Sequence, residues 1–195
     1  MKKIYEFLLW NNCGNACTFC HQRIHELKTS DKILIPSEQV ESLFKCQEFL
    51  NTQFEKGNHI LLVGGEIFDV KDEEVKRALK DLLQFIIDKM NIKEIDLLYL
   101  NTNLLYFDTD LLHWFLVNIQ KNSLFDRLRF TTSYDMVGRY RTKNSEQLFY
   151  KNLKTLTDRF DGIKIVVNTV LTKEACKRIC NDCFGADYLQ TYLRD

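Results

Sequence analysis

His59-Ile60-Leu61-Leu62-Val63-Gly64-Gly65-Glu66 is an essentially apolar run that stops at two glycines and an acid. Too short for a helix and without polar alternation, it predicts a strand buried on both faces, as in parallel sheets covered by helices. Upstream, residues 3–10 alternate and end apolar, which predicts a first strand. Between these strands Val40, Leu43, Phe44 and Leu50 recur at helical spacing behind Pro36, with Ser37 as the expected N-cap. Downstream, Val75, Leu79, Leu82, Leu83, Ile86 and Met90 stripe a second helix, and Ile95–Leu100 is a third strand. Leu111, Leu112, Phe115, Leu116 and Ile119 mark a third helix, and Leu128–Thr132 a fourth strand. Leu148, Phe149, Leu153 and Leu156 mark a fourth helix, and Ile163–Val170 a β-branched fifth strand. A short fifth helix from Thr172 to Phe184 and a last strand from Tyr188 to Leu193 complete the pattern. Strand and helix alternate with short connections and no break in composition, so residues 1–195 read as one α/β domain with a parallel sheet.

Composition narrows the function classes. At 195 residues, 45% of them hydrophobic, with seven Gly and one Pro, the chain suits one buried core and no disordered share. Lys+Arg and Asp+Glu both total 27, so nothing in the net charge favours nucleic acid or a membrane surface. No apolar run has the length of a membrane span. Met1 to Trp10 begins like a signal peptide, but Glu6 interrupts its apolar part and no small-residue cleavage site follows, so the expectation is cytoplasmic. Seven cysteines, an odd number, then argue for metal or redox chemistry over a disulfide framework.

In such sheets ligands bind beyond the carboxyl ends of the strands. The polar clusters fall there: Cys13–Cys20, Gly64-Gly65-Glu66, Asn101-Thr102-Asn103, Ser133-Tyr134-Asp135 and Asn168. Cys13, Cys17 and Cys20, spaced C-x3-C-x2-C on the loop leaving the first strand, bring three thiolates together and suit an iron–sulfur cluster. Zinc held by these three and His21 matches in ligand count. Cys17-Thr18-Phe19-Cys20-His21 also fits a haem attachment site, which requires export, or a thioredoxin-like pair; both leave Cys13 idle. His25, His59 and His113 have no evident partner and read as structural or exposed.

With these residues the chain resembles the radical S-adenosylmethionine (SAM) enzymes. Their cluster motif is C-x3-C-x2-C with an aromatic residue before the last Cys, matched by Cys13, Cys17, Phe19 and Cys20. Their Gly-Gly-Glu after the second strand is matched by Gly64, Gly65 and Glu66, with Ile67 in place of the usual Pro. Thr102-Asn103, Ser133-Tyr134-Asp135 and Asn168 fit the later places in order. The resemblance implies a partial (βα)6 TIM-like barrel, parallel and open on one side. It implies a 4Fe–4S cluster on Cys13, Cys17 and Cys20, with SAM on the remaining iron. One electron from an external flavodoxin- or ferredoxin-like reductant would then cleave SAM to a 5′-deoxyadenosyl radical that takes hydrogen from substrate. Glu66 would meet the SAM ammonium with the Gly65 carbonyl, and Gly64 and Gly65 would admit close backbone approach. Ser133 and Asn168 would serve the ribose and carboxylate, and Phe19 and Leu171 the adenine, with Asn103, Asp135 and Arg139 as further contacts.

The substrate is not named by these motifs; a peptide, a protein or a small metabolite all fit, and a substrate or partner chain is expected over the open flank. Cys20-His21-Gln22 partly echoes the Cys-His-Asn of activases that place a glycyl radical on a partner enzyme. From another class, a non-catalytic iron–sulfur or zinc protein would keep the same fold for binding or electron transfer. Cys176, Cys180 and Cys183 repeat the C-x3-C-x2-C spacing. On an intact helix they share a face and the outer pair stand roughly 10 Å apart along the axis, wide for one cluster. They read as small core residues, with a second cluster as the alternative; Cys46 also reads as core.

Overall fold

Five strands form one sheet in which every neighbouring pair is parallel: β1 (Ile4–Leu8), β2 (Asn58–Val63), β3 (Ile95–Asn101), β4 (Leu128–Ser133) and β5 (Ile165–Asn168), in that spatial order. The computed structural model describes residues 2–13, 17, 34–105, 107–134 and 143–168. The expected fifth helix, the last strand, and Thr169 and Val170 of the fifth lie outside the described residues. Helices α1 (Pro36–Thr52), α2 (Glu73–Asn91), α3 (Thr109–Lys121) and α4 (Lys143–Arg159) fill the crossovers, and a 3-10 turn at Phe125–Arg127 precedes β4.

Sequential strand order decides where the helices go. Right-handed crossovers without a reversal of order put each intervening helix on the same face of the sheet. The burial pattern agrees. Ile60, Leu62, Leu98, Leu100 and Phe130 are fully buried in one cluster with the apolar stripes of all four helices. Their alternates, Leu61, Val63, Leu97, Tyr99, Arg129 and Thr131, are only half-buried on the other face. The expectation that β2 is buried on both faces is therefore corrected: its pattern alternates, because no described helix covers the second face. Within the described residues β1 and β5 are the two edges and the sheet is not closed.

The helices start where their caps dictate. Asp72 accepts from the backbone N–H groups of Glu74 (2.9 Å) and Val75 (3.1 Å), and Asp108 from that of Leu111 (2.8 Å), each such cap contributing about 1 kcal/mol. The expected cap at Ser37 is displaced. Pro36 occupies the first helical position, where its missing N–H costs nothing, so Ile35 becomes the cap residue and its N–H donates to Glu38 (3.0 Å). The stripes of α2 and α3 are buried as expected, and so is Cys46. Two residues depart. Phe44 is 61% exposed because α1 turns Gln39, Leu43, Cys46 and Leu50 inward; Leu148 is 37% exposed because Phe149 holds the buried position beside it.

Candidate functional site

Beyond β1 the chain stays pressed against the exit of β2. Leu9 N–H donates to Val63 O (3.0 Å), Gly65 N–H to Trp10 O (2.8 Å) and Glu66 N–H to Asn12 O (2.8 Å). The buried Trp10 indole donates to Glu66 O at 3.3 Å. This contact explains both glycines. A Cβ on Gly64 would lie 2.8 Å from Trp10 O, and one on Gly65 only 2.1 Å from Asn12 O and 2.6 Å from Asn11 O. The close approach that the glycines permit is made by the chain's own cysteine-bearing leg.

Asn12 closes that leg. Its side-chain amide donates to Leu34 O (2.9 Å) and its carbonyl accepts from Leu34 N–H (3.0 Å), so one side chain ties residue 12 to residue 34 across the cysteine loop. The sequence reading passed over Asn12, since a lone Asn beside a cysteine motif carries no signal. Asn11 Oδ1 is buried with no hydrogen-bond partner among the described residues.

Glu66 is the hub. Its side chain is 0% exposed. Oε1 accepts from Phe68 N–H (3.2 Å); Oε2 accepts from Thr102 Oγ1 (3.0 Å) and from Asn103 N–H (2.6 Å). Burial pushes its carboxyl up to about 7, against the pull of these three donors. No described Lys, Arg or His pairs with it. Thr102, also missed as a carboxylate partner, donates its own N–H to Thr131 O (2.9 Å) and accepts from Leu104 N–H (3.2 Å). Asn103 accepts from Leu105 N–H (2.7 Å) and donates its side-chain amide to Cys13 Sγ at 3.6 Å. Leu104 between them has φ +56°, a left-handed conformation that a bulky residue rarely adopts, and Asn152 of α4 braces its carbonyl at 2.8 Å.

The structure thus brings together Cys13, Glu66 and Asn103 from three loops. Ser133 and Asn168 are brought together separately, as register partners at the ends of β4 and β5 on the face that no described helix covers, with Tyr134 N–H donating to Asn168 O at 2.8 Å. Cys17 is half-buried. Cys20, Phe19, His21, His25, Asp135, Arg139, Leu171, Cys176, Cys180 and Cys183 lie outside the described residues. Among the described residues no three His, Cys, Asp or Glu gather as a metal site. No described helix is long and apolar enough to cross a membrane. Against known proteins, the chain matches no family model and no curated protein.

Proposed function

We propose that this chain is a radical SAM enzyme whose sheet is the parallel core of a partial (βα)6 barrel. One observation carries the reading. Cys13, Glu66 and Asn103, all named in the sequence reading, are joined by hydrogen bonds across the carboxyl ends of β1, β2 and β3. The donor set suits the cofactor: the soft thiol of Cys13 stands half-buried at this rim, and an amide N–H already faces its sulfur. Cys13, Cys17 and Cys20 would hold a 4Fe–4S cluster, which with SAM bound supplies one-electron cleavage to a 5′-deoxyadenosyl radical.

The chain's own residues then bind, orient and exclude water. Glu66, buried without a described cation, is the group on which an ammonium would act most strongly. Its carboxylate also holds the Thr102–Asn103 turn against the cysteine leg. Ser133 and Asn168 offer adjacent polar groups for a ribose or carboxylate. The face that no described helix covers, where Leu8 and Val166 are exposed, would take a peptide or protein substrate. An external flavodoxin- or ferredoxin-like protein would deliver the electron, in the cytoplasm.

The test is anaerobic reconstitution followed by SAM and a strong reductant. About four irons per chain, with formation of 5′-deoxyadenosine and methionine, are expected; about eight would assign a second cluster to Cys176, Cys180 and Cys183. Cys17→Ala should lose both cluster and products. A stable cluster with no SAM cleavage would favour an electron-transfer or binding protein instead.

A further inference from the structure

Asn103 is 6% exposed, and both ends of its side-chain amide have defined partners. Its Oδ1 accepts from Leu105 N–H at 2.7 Å, an assignment fixed because a backbone N–H requires an acceptor. The other end of the amide must then be the nitrogen, and it is Nδ2 that meets Cys13 Sγ at 3.6 Å. Its backbone N–H is held by the buried Glu66 carboxylate at 2.6 Å, so the turn cannot swing the amide away without breaking the hub. The result is an oriented N–H dipole aimed at one sulfur of the cysteine loop.

We propose that Asn103 raises the reduction potential of the iron–sulfur cluster by donating an N–H···S hydrogen bond to Cys13. The proposal rests on the radical SAM reading above. Reduction adds one electron and no bond to the cluster, and the added negative charge is shared by its sulfurs. A donor facing one of them stabilises the reduced state more than the oxidised one. Asn103 is therefore a positioning residue that acts through Cys13, and its effect is read in a potential rather than in turnover.

The experiment is an EPR-monitored anaerobic redox titration, with dithionite as reductant, of the reconstituted chain, Asn103→Ser and Asn103→Asp. Both variants keep an oxygen for the Leu105 N–H and remove the donor to sulfur. At the wild-type midpoint the reduced-to-oxidised ratio should fall about tenfold in Asn103→Ser, ~59 mV for a one-electron couple, and further in Asn103→Asp. Superimposable titrations overturn the proposal. Loss of the cluster from both variants, with native circular dichroism, would make Asn103 structural and also overturn it. A wild-type chain that assembles no cluster is a different failure: it removes the radical SAM reading, and this inference with it.

Discussion

The two ends of the sheet differ in how they treat their most buried acid. At the amino end, carboxylates are paired. Lys2 holds Asp96 (2.5 Å) with His59 beside it (3.3 Å), Lys56 and Lys89 hold Glu94 (2.5 and 2.7 Å), and Lys164 holds Asp126 (2.6 Å). Arg127 adds donors to the carbonyls of Met90, Ile95 and Asp96. These partners, the lysine hydrogen bonds first, hold Asp96, Glu94 and Asp126 below the usual carboxylate range. At the carboxyl end Lys76 holds Asp108 (2.5 Å), but Glu66 is buried on neutral donors alone and sits well above that range. One end is closed by matched charge. The other also keeps a buried acid without a described cation, the half-buried thiol of Cys13 and an oriented amide, which is the end where a ligand would make a difference.

The contrast breaks most sharply at Glu66. Glu66→Ala strands the Asn103 and Phe68 N–H groups and the Thr102 hydroxyl in a dry site. Urea unfolding at pH about 5 should show a loss on the order of 3–5 kcal/mol. A loss below ~1 kcal/mol would mean the hub does not hold the rim together.

The pH windows sharpen it next. A carboxyl raised from 4.5 to about 7 by folding contributes stability that is full below pH 4.5 and is lost as pH rises through about 7. At about 1.36 kcal/mol per unit the change is about 3 kcal/mol, and Glu66→Gln should flatten it. The depressed Asp96 acts with the opposite sign, its contribution present above 3.8 and lost as pH falls below it. Wild-type stability that rises between pH 5 and 7 would contradict the assignment of Glu66.

Gly65→Ala places a methyl 2.1 Å from Asn12 O and must push the cysteine leg off the β2 exit. A cost of roughly 1–3 kcal/mol in urea unfolding is expected, with Gly57→Ala as a strained but uncrowded control. Lys2→Ala, at an exposed pair, should cost ~1 kcal/mol or less, and less still in high salt.

Much of the fold was legible because period and burial coincide. The stripes of α2 and α3 repeat at helical spacing, so burying one face of each helix follows from the order of residues alone. The errors in the helix stripes came where two candidates sit side by side. Phe44 and Cys46, or Leu148 and Phe149, differ by one or two positions, and only packing against neighbouring elements decides which turns inward. Histidines without sequence partners found them in the fold, His59 with Asp96 and Tyr99 across neighbouring strands, and His113 with Arg159 between α3 and α4.

By itself, then, the order of residues determined the strand–helix alternation, the parallel sheet that follows from it, and the placing of Cys13, Gly64, Gly65, Glu66, Asn103, Ser133 and Asn168 at strand ends, because these depend on local periodicity and chain direction. Only the tertiary structure decided that one face of the sheet is left uncovered by the described helices, that the two glycines make room for Trp10–Asn12, and that Glu66 faces inward to Thr102 and Asn103 while Asn103 reaches Cys13. Those are contacts between residues tens of positions apart. They exist only once parallel pairing has stacked the loops at one rim, where desolvation makes each hydrogen bond count.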